Sequence, residues 1–486
     1  MNKHFLSLAD ANLPELKNER ICPSVEPTVL GPGSSVVIDL GNHYVGTLSF
    51  RMEPHTEYID APVRLLVRFC EVERELCDDY STYNGWLCRS WLQDEVVNID
   101  FPGIYTMPRR YAARYVRIDV LYTPKKLVLS DFVFTATSAV SLSDLRAVRI
   151  DDPELAAIDR VAVNTLKNCM QRVFEDGPKR DRRLWIGDLR LEALANYYTF
   201  GDTSLVKRCL YLFAAAERNE HGFMPGYVYE NPRFVSGYWF LIDYSLLYVC
   251  SLCDYYMHVG DGDTMRELYA TARSIVDAAV RSLDSDGIIK APTSDEDIFI
   301  DWCVGLEKKT ALHGVYLYTL DLWCRAISAA GYTEDAAYYS DLLSKGREAA
   351  RCHLVSADGR VVNDRDGGQH SVHSAAWLTL GGVFCEDEAR FALDAAMTDE
   401  NSLKPFTPYM HHYAVEAMLK AGMNKEADAY MRHIWGGMVK TGTDTFFEAY
   451  VPADPDFSPY DDRKVNSMCH AWSCTPTYLL RKYMIS

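Results

Sequence analysis

The sequence predicts a two-part chain: an N-terminal antiparallel β-sandwich over residues 1–148, then an all-α toroid of six helical hairpins over 149–486. Three observations carry this. Up to about residue 145, short runs rich in Val, Ile, Leu, Tyr and Phe are punctuated by Gly, Pro, Asn and Asp. At Asp151-Asp152-Pro153-Glu154 the texture changes to a helix start, with an N-cap carboxylate, an early proline and an acid in the first turn. Beyond it, helical periodicity returns in about twelve stretches joined by short polar turns.

In the first part, strands are expected over 35–39, 46–52, 63–71, 95–100, 113–122 and 127–137. Val116, Ile118 and Val120 alternate with Arg117, Asp119 and Leu121, the pattern of a half-buried strand. In the second part, helices are expected over 153–174, 188–200, 203–218, 239–259, 262–282, 304–330, 334–353, 371–380, 386–397, 408–421, 424–438 and 470–483. Gly201-Asp202 and Gly260-Asp261 each end one helix with glycine and cap the next with aspartate. No strong sequence repeat accompanies this structural repeat.

Bulk properties narrow the function. With 48% hydrophobic and 24% charged residues, the 486-residue chain buries a large core. A net charge of −18 without a basic stripe argues against nucleic acid and anionic membrane as partners. The first residues lack the apolar stretch of a secretory leader, and no window approaches a membrane span. The 14 cysteines are scattered, and Cys250-x-x-Cys253 lies inside an apolar run, so they are read as buried or free thiols. Together these features predict a cytoplasmic protein.

A toroid gathers its loops at one end, so chemistry is sought on long polar, aromatic loops. Three stand out: 175–188, 285–303 and 440–470. The first runs from Glu175 to Asp188 with four carboxylates, four cations and Trp185. It is either a solvated surface loop or, because Trp185 and Ile186 are costly to expose, one that folds inward with its charges. The second runs from Ala291 to Trp302. Asp301 is either a helix cap beside a core tryptophan or a carboxylate that accepts sugar hydroxyls beside a stacking ring. The third places Glu448 among Phe446, Phe447 and Tyr450, on a pocket or on its rim, and continues to His470 and Trp472. Alone, His470 is an ordinary core histidine. Two carboxylates on opposite sides of one pocket suffice for glycoside hydrolysis. No His, Cys or Asp cluster has metal-ligand spacing, so neither metal nor other cofactor is expected.

Taken together, these loops resemble the α-L-rhamnosidases of glycoside hydrolase family 78. The family's Asp-Cys-Pro-x-Arg-[Glu/Asp] run, followed by Trp and Gly-Asp, corresponds to Asp176-Gly177-Pro178-Lys179-Arg180-Asp181, Trp185 and Gly187-Asp188. Its Thr-Thr-Phe-Trp-Glu motif corresponds to Asp444-Thr445-Phe446-Phe447-Glu448. Its Cys-His-Gly-Trp-Ser run corresponds to Cys469-His470-Ala471-Trp472-Ser473, and 40–46 is similar to the sheet domain that precedes the barrel. The resemblance spans about 36–483 and implies a β-sandwich plus an (α/α)6 barrel.

It also implies roles. Asp181 would be the general acid and Glu448 the general base. Asp176, Arg180, Asp188 and His470 would contact the sugar, with Trp185, Trp302, Phe447 and Trp472 as aromatic walls. Asp301 joins the substrate-binding set on the reading given above. Inversion at the anomeric carbon would follow, with carboxyl groups about 6.5–9.5 Å apart. The expected partner is a rhamnoside, with a homodimer left open. Departures are Gly177 for the usual cysteine, expected to affect packing only, and Asp181 for the commoner glutamate. Asp444 and Phe447 replace threonine and tryptophan beside the base, where they are expected to influence which sugar fits. The alternatives are another barrel sugar enzyme (a glucosidase, a uronate hydrolase using Lys179, Arg182 or Arg183, or a phosphorylase) and a non-catalytic carbohydrate-binding protein.

Overall fold

The computed structural model describes residues 1–56, 58, 60–290, 297–365 and 368–484. Part of the second loop singled out above, 291–296, therefore lies outside the described residues.

Eight strands form the first part: β1 (Lys17–Ile21), β2 (Thr28–Leu30), β3 (Ser35–Pro54), β4 (Val63–Cys70), β5 (Asp94–Ile99), β6 (Gly103–Thr106), β7 (Tyr111–Tyr122) and β8 (Leu127–Ser138). They pair antiparallel in the order β1-β8-β3-β7-β4-β5, with β2 on β8 and β6 on β3. Their inward residues, among them Leu48, Phe50, Val67, Phe69, Ile118 and Phe134, form one apolar core. The two strands expected over 35–39 and 46–52 are a single strand, β3, with a register shift between Asp39 and Tyr44. Gly41, at φ +80°, makes the irregularity that looks like a strand break in sequence.

The region before the sheet contains a helix that the β-rich expectation missed, α1 (Lys3–Ala11). Nine residues are too few to hold a helix alone. This one is fixed by the barrel: the Asn2 amide donates to the Ala215 carbonyl at 2.9 Å, and Phe5 stacks on Tyr211.

The second part contains α2 (Pro153–Cys169), α3 (Ile186–Tyr198), α4 (Thr203–Ala215), α5 (Ile242–Val259), α6 (Gly262–Arg281), α7 (Lys309–Ala329), α8 (Thr333–Leu354), α9 (Val372–Leu380), α10 (Glu386–Thr398), α11 (Pro408–Lys420), α12 (Asn424–Val439) and the short α13 (Pro476–Leu479). Consecutive odd-numbered helices from α3 to α11 pack on one another, and the segment from Ala471 through α13 closes the ring between α11 and α3. These inner helices are buried on nearly every side, whereas α6, α8, α10 and α12 keep an exposed polar face. The last expected helix, 470–483, is broken into a 3-10 turn at Ala471–Ser473, α13 and a π-turn at Leu480–Met484. Among the described residues, no helix is long and apolar enough to cross a membrane.

The inner ring is tight where α7 meets α9. A Cβ on Gly314 would lie 2.6 Å from both the carbonyl carbon and the Cβ of Trp377, and Trp377 is fully buried. Gly314→Ala is expected to cost about 1–3 kcal/mol. A thermal or urea unfolding curve indistinguishable from that of the unmodified chain would contradict this packing.

Candidate active site

The site is assembled by three loops at one end of the inner ring. The first, between α2 and α3, includes the two-residue strand β9 (Leu184–Trp185), which pairs with β10 (Tyr227–Tyr229). Its tightest point is Gly177, where a Cβ would stand 2.3 Å from the Arg180 carbonyl oxygen and 2.8 Å from Ser467 Oγ. The glycine is thus a condition of the loop's shape, and the expectation that it affects packing only is corrected. The Asp176 carboxylate folds the loop over itself, accepting from the amides of Asp181 (3.1 Å) and Arg183 (3.0 Å).

The segment between α12 and α13 is stitched to the first loop and to itself. The Ala471 amide donates to the Asp176 carbonyl at 2.7 Å. The Glu448 amide donates to the Ser467 carbonyl at 3.0 Å, and Trp472 Nε1 donates to the Glu448 carbonyl at 2.9 Å. The sheet domain adds an anchor. Lys179 Nζ lies 2.7 Å from Glu75 and 3.7 Å from Glu71, beyond the end of β4, and also donates to the Asn466 carbonyl. All three of these side chains are buried.

Together the loops and helix ends enclose a cavity lined by Asp176, Arg180, Asp181, Trp185, Asp188, Trp239, Leu241, Tyr244, Phe299, Trp302, Glu448, Tyr460, His470 and Trp472. Residues 181 and 448, far apart in sequence, therefore face one space. Arg180 lies between them: Nη2 binds Glu448 Oε2, and Nη1 is 3.6 Å from Asp181 Oδ1. Its Nε donates to the Val465 carbonyl at 2.9 Å, and its guanidinium carbon lies 4.2 Å from the centre of the Tyr460 ring. The Tyr460 hydroxyl donates to Glu448 Oε1, and the Ser467 amide lies 3.3 Å from Oε2.

Burial dominates the electrostatics. It raises the Asp176 carboxyl to about 8, with the neighbouring Asp181 adding to the effect against the backbone amides that oppose it. Asp188, at the start of α3, is pushed well above its ordinary value by burial and then by Asp176. Burial, followed by the Arg180 charge, holds His470 well below the usual imidazole value, so its ring is neutral. Three buried polar atoms on cavity-lining side chains make no well-formed hydrogen bond among the described residues: Trp302 Nε1, and Asp188 Oδ1 and His470 Nδ1, which face each other at 3.4 Å. Such atoms are rare in folded chains and are suited to a polar ligand.

Nine of the eleven residues expected at the site line this cavity. The other two do not. Asp301 is buried behind it as a structural hub, accepting from Thr407 Oγ1 (2.6 Å), the Phe406 amide (2.9 Å) and the Trp302 amide (2.9 Å), with His373 Nε2 at 2.7 Å. Burial alone would raise its pKa; His373 and these donors outweigh that and hold it low. Phe447 packs edge-on near Tyr450, and its carbonyl accepts from Ser473 Oγ at 2.5 Å. Asp444 turns to the sheet domain and pairs with Arg114 at 2.8 Å, so it does not shape the sugar pocket.

Sequence reading missed Trp239, Leu241, Tyr244, Phe299 and Tyr460. Tyr460 lies inside the third candidate loop, and Gly237-Tyr238-Trp239-Phe240 is an aromatic cluster next to a helix start. Both carried a legible signal. Phe299 lies inside the second candidate loop and carried the same signal, whereas Tyr244 looks like a core residue in sequence and carried none.

Comparisons with known proteins bear on the family and the fold. Residues 15–136 match the glycosyl hydrolase family 78 alpha-rhamnosidase N-terminal domain, and residues 144–484 match the bacterial alpha-L-rhamnosidase 6 hairpin glycosidase domain. A rhamnosidase from Klebsiella oxytoca, solved with rhamnose bound, is 38% identical, with 99% of each chain covered and a TM-score of 0.94. The family 78 rhamnosidase of Bacillus sp. GL1 is 21% identical, with a TM-score of 0.80 over 95% of this chain and 48% of its own. The Streptomyces avermitilis α-L-rhamnosidase, complexed with L-rhamnose, is 16% identical, with a TM-score of 0.70 over 96% of this chain and 44% of its own. The chain thus spans about half the length of these last two, whose likeness bears on the fold alone. No curated protein matches by sequence.

The buried acids give a pH dependence with a definite sign. Asp176, Asp188 and Glu192 all have raised carboxyl pKa values, first through burial. Between the ordinary value of 3.8 and about 8 for Asp176, the folded chain holds a proton there that the unfolded chain has lost. Its contribution therefore favours folding less and less as pH rises through that window. Asp176→Asn is expected to flatten the fall in melting temperature between about pH 5 and 8, with little change near pH 4. An unaltered slope would contradict the buried, protonated Asp176.

Proposed function

The chain belongs to the glycosyl hydrolase family 78 α-L-rhamnosidases and is a glycosidase, and from that premise we propose that it releases terminal α-L-rhamnosyl residues with inversion. The observation that carries this is the pair Asp181 and Glu448 facing one aromatic-walled cavity from either side of Arg180.

In this mechanism Asp181, at the cavity's edge with its side chain 17% exposed, donates its proton to the glycosidic oxygen. Glu448 takes a proton from the water that attacks the anomeric carbon on the opposite face. Arg180 and the Tyr460 hydroxyl fix the orientation of Glu448, so little reorganisation remains at the moment of reaction. Trp302 Nε1 supplies a donor for a sugar hydroxyl, and Asp188 Oδ1 and His470 Nδ1, 3.4 Å apart, supply a polar pair beside it.

The walls favour a 6-deoxy sugar. Leu241, Phe299, Tyr244 and Trp239 offer apolar surface to a methyl group, which gains about 0.8 kcal/mol on burial. A uronate hydrolase would need an uncommitted cation here. Of the cations that reading names, Lys179 is bound to Glu75 and two backbone carbonyls, and Arg182 and Arg183 line the outer cleft instead of this cavity.

Asp181→Asn and Glu448→Gln are each expected to lower kcat on p-nitrophenyl α-L-rhamnoside by about 100-fold or more, with unfolding curves preserved. Near-normal turnover in either variant would overturn that residue's role. The corresponding α-L-mannoside, which differs by one hydroxyl at C6, is expected to react about 10- to 100-fold more slowly. Equal rates on the two sugars would contradict the apolar wall.

A further inference from the structure

We propose that the cleft on the far side of Asp181 is a leaving-group site built for an acidic sugar, a hexuronate whose ring hydroxyl carries the rhamnosyl unit. This rests on the hydrolase reading above and extends it to the other half of the substrate.

Asp181 lines two spaces: the inner cavity, and a second cleft of about 900 Å³. The general acid protonates the oxygen that departs with the leaving group, so the space beyond it receives that group. Five arginines line this cleft, in a chain whose net charge is −18. Two are neutralised locally: Arg110 holds both oxygens of Glu175 at 2.9 and 2.7 Å, and Arg208 pairs with Glu230 at 2.5 Å.

The other three are not. Arg172 is exposed and makes no ion pair among the described residues. Arg182 donates to the carbonyls of Pro178 (2.8 Å) and Arg110 (2.9 Å) but meets no carboxylate. Burial, then the nearby Arg110 charge, draws its pKa down to about 10 against the opposing pull of Glu175, so at neutral pH it is a cation with no carboxylate in direct contact. Arg183 is 3.8 Å from Asp181 and lies over the rings of Tyr227 and Tyr229. When Asp181 carries its catalytic proton, that partner is neutral.

A neutral leaving group would pass three cations without using them. A carboxylate would meet planar donor forks suited to bidentate binding, beside the aromatic faces of Trp91 and Tyr229 on which a pyranose ring packs.

The test compares an α-L-rhamnosyl hexuronate disaccharide with its carboxyl-reduced counterpart, on the unmodified protein and on Arg172→Ala. The acid is expected to be favoured about tenfold in kcat/KM at low salt, with the preference shrinking at about 0.5 M salt. Arg172→Ala should reduce that preference about three- to fivefold, the size of one exposed ion pair. Equal kcat/KM on the two disaccharides, or an Arg172→Ala effect equal on both, would overturn the proposal. If neither disaccharide is cleaved but calorimetry shows preferential binding of the uronate, the hydrolase reading falls and the acidic site stands. If neither is cleaved nor preferentially bound, both fall.

Discussion

The architecture depends on one buried guanidinium. Arg180 is 3% exposed, and a cation removed from water is tolerated only when its charge and its donors are fully used. Here Glu448, Asp181, the Val465 carbonyl and the face of Tyr460 use them. Asp181 is its neighbour in sequence, whereas Glu448, Tyr460 and Val465 all lie on the segment between α12 and α13, so satisfying Arg180 requires the loop before α3 to meet that segment. The barrel sets those loops near one another, and the cation fixes how they meet. Next to it, Lys179 extends the same logic into the sheet domain, where Glu71 and Glu75 take its charge. Glu71 in turn faces His43 at 3.2 Å and accepts from the Met468 amide at 2.7 Å. The sheet therefore acts as a buttress that holds the Asp176–Asp188 loop from behind.

The molecule separates two electrostatic regimes on either side of Asp181. Inside, burial crowds carboxyl groups together, and two of them, Asp176 and Asp188, have their pKa values raised. Outside, the arginines of the larger cleft dominate. The arrangement keeps the inner chamber apolar and weakly charged, apart from the groups committed to Arg180, and places selectivity for charge on the leaving-group side. Asp181 is the one carboxylate shared by both regions.

Much of this was legible in sequence because the site is built from short, dense loops. The run from Asp176 to Asp188 combines glycine, proline, paired charge and tryptophan, and no helix or strand accounts for such a combination. The fold class was legible because about twelve helical stretches follow one another through short polar turns such as Gly201-Asp202 and Gly260-Asp261, a succession that a ring of hairpins accounts for. Other features depend on three-dimensional partners that spacing does not reveal. Asp301 has the right type and neighbours for a sugar ligand, but His373 and Thr407 reach it first. Asp444 sits four residues before Glu448 yet is drawn to Arg114 on β7. Tyr244 looks like core until the barrel's open end places it on the cavity wall. α1 is set by α4, two hundred residues away, and its nine residues carry too little periodicity to reveal that.

The account's central claim is that Asp181 and Glu448 act on opposite faces of the sugar with a water between them, rather than one of them attacking directly. Proton NMR of L-rhamnose at the moment of its release from an aryl α-L-rhamnoside, read before mutarotation mixes the anomers, tests this most directly. The account predicts β-L-rhamnose as the first-formed product. First appearance of the α-anomer would mean retention, and Glu448 would then be a nucleophile held by Arg180 instead of a base.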